Sequence, residues 1–431
     1  MDVKSEINHL SVTQKELVIE APAEVVQEEF NKVYARLSRS VKVAGFRPGK
    51  VPRSVIKQKF YREARDTVAS QLLPQTIRAA LEPYHLDPIA EPKIYDLSLQ
   101  EGQSLRFRTT VEVRPQIETI HYQGLRLTKT VKAATEAEVD AALERLRQQH
   151  SQLVPLDDRP AEVGDFATVT LWSRTVPAAP GQVIEIEIGG QDVLPAFSES
   201  LRGLPVGETR RFSVAYPSGY HSAELAGKQV EYEVKLEALR FKELPDLDDE
   251  FPITIGEDFE TLADFRSELK RRLQALHEAE ADEALRQTAL QHLVDAHPFE
   301  VPESMVRHQL EQRLTQLAQA VAAQGIDPKS ADIDWQALAH HERENASRDV
   351  RAALLLQEIA EREAIAVSNA ELDAEINSLA AQRHESPIQL RGRLTKEGSL
   401  DSMKNELRHR KALEGVVRAA VVEREVVDGD A

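Results

Sequence analysis

The chain has 431 residues, a net charge of −18, 29% charged and only 5% aromatic residues, and no cysteine. That length exceeds one ordinary core and predicts roughly two to four domains. The missing cysteine excludes disulfides and thiol catalysis and fits a reducing compartment. The opening Met1-Asp2-Val3-Lys4-Ser5-Glu6 is polar, unlike a signal peptide, and the longest apolar runs, such as Ala352 to Leu356, are far short of a membrane span. A soluble, cytoplasmic protein with no membrane partner is expected.

Residues 14–20 read as a strand through Leu17, Val18 and Ile19. Pro22 then opens a helical pattern with Val25, Val26, Phe30, Val33, Tyr34 and Leu37 spaced by three and four. The loop Gly45-Phe46-Arg47-Pro48-Gly49-Lys50-Val51-Pro52 stops it. A second helical region covers 53–81, and Pro88 and Pro92 are expected to end it. Strands at 93–99 and 104–113 follow, joined by the turn Glu101-Gly102-Gln103. Residues 1–114 thus form a compact α+β domain, and 115–149 a connector ending in a helix from Thr135 to His150.

Between 150 and 243 the alternating runs Phe166–Trp172, Val183–Ile188, Glu208–Val214 and Gln229–Leu239 predict a small antiparallel β domain. One short helix lies around Phe197 to Leu201. From 244 to 431 the chain reads as helical and elongated. Leu262, Phe265, Leu269, Leu273 and Leu276 make one apolar stripe, and Val306, Leu310, Leu314, Leu317 and Val321 another. Ser368-Asn369-Ala370-Glu371 is a capping-box signature. The fold class is therefore multidomain α+β.

The charge is divided unevenly. Residues 1–114 are net +3 and the remainder −21, and from Arg36 to Arg65 ten Lys or Arg face a single acid, Glu63. A basic patch on an acidic protein points to one docking surface for a polyanion. Arg36, Arg39, Lys42, Lys57 and Lys59 could neutralise phosphates, while Phe46 offers an apolar or stacking tip. The loop is not a nucleotide-binding P-loop. Ala44 stands where the first glycine belongs, and Val51 replaces the magnesium-holding hydroxyl. The bland reading is a turn between two helices with Gly and Pro shaping the backbone. His340-His341-Glu342 hints at a zinc helix, but Asn345 stands where the second histidine is needed, and no metal or cofactor is expected.

Gly-Phe-Arg-x-Gly-Lys-x-Pro in an N-terminal α+β domain, followed by a small β domain and a long helical region, resembles the trigger factor family of ribosome-associated bacterial chaperones. The resemblance covers essentially the whole chain. It implies that Gly45, Phe46, Arg47, Pro48, Gly49 and Lys50 form the ribosome-binding loop, with the Phe46-Arg47-Pro48 tip beside the exit tunnel against protein and rRNA. Pro48 stands where relatives often carry lysine. Unfolded nascent chains are the implied clients of the helical region, with no ATP cycle, and a homodimer away from the ribosome stays open.

The middle domain is similar to FKBP-type prolyl isomerases, which implies a peptidyl-prolyl cis-trans isomerase pocket of Val193, Leu194, Phe197, Tyr220 and Tyr232. His221 follows Tyr220 in the matching stretch, and Ile184 takes an aromatic position. A Phe-rich segment of that family is replaced by the short, Pro-rich Arg174 to Gly181, so the implied pocket has fewer aromatics. The residues alone leave two other readings open: a free-standing prolyl isomerase whose helical half recruits substrate, and an RNA-binding protein using the 36–65 patch.

Overall fold

The computed structural model describes residues 3–41, 46, 51–156, 158–173, 181–190, 193–216, 225–328 and 333–428. Two compact units are present, one of residues 1–129 with 283–423, the other of residues 130–282 with 424–431.

In the first unit, β1 (Lys4–His9) and β2 (Gln14–Ala21) form an antiparallel hairpin. Helix α1 (Ala23–Ser40) follows with Pro22 at its N-cap, and α2 (Arg53–Leu81) bends at Phe60, whose φ of −120° leaves the helical range. β3 (Lys93–Ser98) and β4 (Leu105–Glu112) complete a four-stranded sheet in the order β1-β2-β4-β3. Alternation on the strands and three-to-four spacing on the helices point one apolar face of each layer inward. Leu17, Ile19, Val26, Phe30, Ile56, Val68, Leu105 and Phe107 are accordingly buried in one core.

Helix α2 has the bounds 53–81 read from the sequence, but what ends it is not Pro88 or Pro92: the chain runs from Leu81 straight into a 3-10 turn at Glu82–Tyr84. Pro83 lies in that turn, and His85 then takes a left-handed φ of 50°. Reversal at His85, assisted by a proline that cannot continue hydrogen bonding, is the stop expected of the two later prolines.

β5 (Arg126–Lys132) leads into the second unit, where Thr135 opens α3 (Glu136–Gln149) with a complete capping box. β6 (Gln152–Pro155), β7 (Phe166–Ser173), β8 (Gln182–Glu187), β9 (Thr209–Ala215) and β10 (Gln229–Glu243) form one antiparallel sheet. β10 pairs with β6, β7 and β9 along its length. α4 (Pro195–Leu201) packs its buried Leu201 into the core of Val169, Ile188, Val234 and Leu236. The bidentate pair of Arg159 with Asp165, at 2.7 and 2.8 Å, closes the loop before β7. Burial opposes charge on Asp165, but Arg159 and the Glu162 N–H hold its carboxyl below the usual range. After α5 (Phe251–Thr254), α6 (Leu262–Ala296) begins. Of its sequence stripe, Phe265 and Leu269 pack against Val139, Leu143 and Phe251, whereas Leu276 is 53% exposed.

The first unit resumes at residue 283 and contains α7 (Glu303–Ala323), α8 (Trp335–Arg362), α9 (Asn369–Gln382), α10 (Pro387–Glu397) and α11 (Ser399–Ala419). Leu355, Ile359, Ala412 and Val416 make one core, Val306, Val350 and Leu354 another, and Leu372, Ile376 and Leu390 a third. The Ser368–Glu371 capping box is formed as the sequence predicted. Glu342 is bound by Arg313 and Asn345, so the residue in the second-histidine position of the zinc pattern serves a carboxylate. β11 (Val421–Val427), where helix was expected, pairs with β5. Within this unit the hairpin of β1 and β2 touches the start of α7. Ser11 and Thr13 donate to Glu300 at 2.8 and 3.2 Å, and the Glu112 carboxylate accepts the Ser304 N–H at 2.8 Å. Glu112 thereby satisfies an amide of a helix whose N-cap is Pro302 and has no side-chain cap of its own.

Candidate docking loop and prolyl isomerase pocket

The loop between α1 and α2 is held at both ends. Val41 leaves α1 in an extended conformation, donates to the Leu37 carbonyl at 2.9 Å and packs on the domain core. Val51, 7% exposed, anchors the other end in the same core, and Pro52 starts α2. Phe46 between them is 40% exposed, which for a large apolar ring leaves surface for a partner. Gly45, Arg47, Pro48, Gly49, Lys50 and Lys42 lie outside the described residues.

The flanking cations divide into two groups. Arg36, Arg39, Lys59, Arg62 and Arg65 are exposed and carry no ion pair among the described residues. Lys57 behaves otherwise than the sequence suggested. It pairs with Glu101 of the β3–β4 turn, and its ammonium lies 5.5 Å from the Tyr34 ring centre. Arg53 bonds Asn31 and lies 6.0 Å from the same ring. Glu101 also accepts from Gln27 at 3.0 Å and from the Tyr34 hydroxyl at 3.2 Å. Burial opposes its charge, yet Gln27 and Lys57 hold the carboxyl below the usual range, while burial and the same carboxylate push the Tyr34 phenol up. Lys57 and Arg53 brace the two helices, whereas the other five described cations of the patch stay in solvent.

In the second unit an aromatic cluster sits where α4, β9 and β10 meet. Pro195 starts α4 directly after Leu194, and the Gly189 N–H donates to Ser198 at 2.9 Å, setting the turn that places Phe197. The Phe197 ring meets Phe212 edge-on at 5.1 Å and Tyr232 at 5.5 Å, while Phe212 and Tyr232 are 5.9 Å apart. Phe212 and Tyr232 are direct partners in the β9–β10 register. The hydroxyls of Tyr216 and Tyr232 are 2.8 Å apart, on side chains buried to 7 and 8% exposure. Leu194, Phe197 and Tyr232 share one apolar cluster, and Val193, Ile184 and Phe197 pack against the adjoining core. Tyr220, His221 and residues 174–180 lie outside the described residues.

Two rings of this cluster, Phe212 and Tyr216, are not among those that the sequence singles out. Their signal is the period-two alternation Phe212, Val214, Tyr216 along β9 and the residue after it; all three belong to one apolar cluster.

Comparison with known proteins decides the family. Residues 1–146 match the model described as bacterial trigger factor protein, 261–418 its C-terminus, and 168–237 the FKBP-type peptidyl-prolyl cis-trans isomerase model. The trigger factor of Koribacter versatilis is 35% identical over 93% of both chains, and that of Solibacter usitatus 35% identical over 92% of this chain and 94% of that one. The chain belongs to the trigger factor family. The Moorella thermoacetica trigger factor is a further relative, 32% identical over 96% of this chain and 94% of its own. A solved trigger factor chaperone, titled for promiscuous substrate recognition in folding and assembly, covers 96% of this chain and 99% of its own. Its TM-score is 0.61 at 21% identity, a likeness of fold. Trigger factors are ribosome-associated chaperones, and the middle segment of this one is a member of the peptidyl-prolyl isomerase family.

Proposed function

We propose that this chaperone docks beside the polypeptide exit tunnel of the ribosome through the loop 45–50 and holds unfolded nascent chains on its helical region without ATP. The division of labour follows the boundaries read from the sequence: 1–114 for docking, 115–149 as connector, 150–243 for isomerisation and 244–431 for clients. The observation that carries the docking role is the exposed Phe46 flanked by five unpaired cations on a protein of net charge −18. Phosphates of rRNA meet the cations and a protein or base surface meets the ring. Clients are held by transient burial of their apolar side chains, which slows aggregation while later sequence arrives.

Replacing Phe46, Arg47 and Pro48 together by alanine is expected to abolish cosedimentation with ribosomes while leaving suppression of aggregation of a refolding protein nearly intact. Unchanged cosedimentation refutes the docking assignment. Equal, salt-sensitive binding to arbitrary RNA would favour a general RNA-binding role instead.

The aromatic cluster around Phe197 supports a role in X-Pro isomerisation. The barrier of about 18–20 kcal/mol arises because the amide must lose its resonance. No nucleophile is needed. Aromatic walls that desolvate the imide favour the twisted transition state over the planar ground state. Phe197, Phe212 and Tyr232 supply such walls, with Val193 and Leu194 beside Phe197. A proline-peptide assay on the full chain measures this activity. An undetectable rate would leave the domain as an accessory for binding.

A further inference from the structure

One apolar row of the first unit's sheet is incompletely covered. Ile7, Leu17, Thr109 and Ile94 lie opposite one another across its four strands. Leu17 and Thr109 are fully buried, whereas Ile94, on edge strand β3, is 37% exposed. Beside it the last turns of α2 and the loop that follows leave a groove of about 740 Å³, floored by Leu73, Ile77, Leu86, Pro92 and Ile94. Its polar lining is Glu82, Asp87, Glu91 and Arg78, three carboxylates to one cation. None of the three carboxylates has a side-chain hydrogen bond or ion pair among the described residues.

The strand itself adds a second feature. β3 ends the sheet order, so its outer edge has no strand partner among the described residues. Pairing with β4 is regular from Lys93 to Tyr95 and then shifts, with Asp96 at a left-handed φ of 53°. Such a bulge shortens an edge and guards it against sheet-to-sheet association. Three residues suffice for a short extended peptide. They are too few for a second copy's sheet, which would also bring a second set of the same carboxylates.

We propose that this groove is a client subsite on the α+β domain, taking an extended segment that is apolar and carries lysine or arginine. The segment adds along Lys93–Tyr95 through backbone hydrogen bonds and seats one apolar side chain beside Ile94. Its cations face Glu82, Asp87 and Glu91. The proposal rests on the reading that the protein holds unfolded chains, and it concerns where and with what selectivity.

The test uses the full chain and two short fluorescein-labelled peptides, one alternating valine with lysine, the other valine with glutamate, read by fluorescence anisotropy. The triple variant Glu82→Lys, Asp87→Lys, Glu91→Lys should weaken the lysine peptide about ten-fold and strengthen the glutamate peptide. Ile94→Ser should weaken both. A control with the same change in net charge, Glu208→Lys, Glu243→Lys, Asp246→Lys, should leave the preference for lysine intact. A selectivity that moves equally in the control and the triple variant overturns the proposal. So does a concentration-dependent rise in mass that only the triple variant abolishes, which would assign the groove to a second copy. Aggregation suppression by the unaltered protein, measured alongside, separates failure of this subsite from failure of the chaperone reading.

Discussion

The loop between α1 and α2, proposed to dock on the ribosome, and the aromatic cluster around Phe197 treat polar atoms in opposite ways. On the helices flanking Phe46 in sequence, five cations stay in water without ion pairs among the described residues. Around Phe197, the Tyr216 and Tyr232 hydroxyls are out of water and bonded to each other. Charge left in solvent costs little to maintain and binds a polyanion by releasing its counterions, so its affinity is salt-dependent. A desolvated pocket must satisfy every polar atom internally, and binds through shape and apolar area with little regard for salt. Ionic strength should therefore separate the two regions within one molecule.

The largest effect is expected on the first region. Changing Arg36, Arg39, Lys59, Arg62 and Arg65 to glutamine should lower ribosome affinity by roughly ten- to a hundred-fold at low salt. The slope of log affinity against log salt should flatten by about one for each phosphate no longer neutralised. The thermal midpoint and the prolyl-peptide rate should hardly move. A parallel fall in that rate would break the separation.

Phe197→Ala should cut kcat/KM on a proline peptide by at least about ten-fold and destabilise the second unit by about 2 kcal/mol. Ribosome cosedimentation should be unchanged. Tyr216→Phe is a smaller perturbation, about 1 kcal/mol, because it strips the Tyr232 hydroxyl of its partner. The double variant Tyr216→Phe, Tyr232→Phe should recover part of that loss, since neither hydroxyl of the pair then remains without the other. Chemical denaturation of the single and double variants measures this coupling.

The smallest effect concerns an exposed cap. Hydrogen bonds from Lys411 and then from the Ser368 backbone and side chain hold the Glu371 carboxyl down to about 2, below its ordinary value of 4.5. A lowered value in the folded state gives stability that is present above the ordinary range and lost as pH falls toward 2. Glu371→Gln should therefore lower the thermal midpoint slightly at neutral pH. The difference from the parent should shrink below about pH 4.5 and vanish near pH 2. A difference constant with pH would mean that the cap's contribution does not involve charge.

Much of this architecture is legible because its elements are periodic. α2 can be read over its full span from Val55, Ile56, Val68, Leu72 and Ile77, and β3 and β4 from their alternation around Gly102. What escapes is short or polar. β1 reads KSEINH, with one strong β-former, and β6 has only four residues. β11, VVEREVV, follows a long helix without a proline or glycine to mark the change. Of the site, the loop is legible from charge and Phe197 and Tyr232 from resemblance. Phe212 and Tyr216 are hidden because a ring facing a pocket and one facing an ordinary core alternate alike along a strand. The role of Lys57 depends on Glu101, 44 residues away, which only folding brings to it.

The hydrogen bonds from Ser11 and Thr13 to Glu300 join positions 289 and 287 residues apart, inside a unit interrupted by residues 130–282. During biosynthesis the hairpin of β1 and β2 emerges long before its partner, so this contact forms only when translation has passed the whole intervening stretch. Contacts of such separation slow folding because the loop must close before they reward it. A protein that shelters unfinished chains is thus itself left unfinished until the last third of its message has been read.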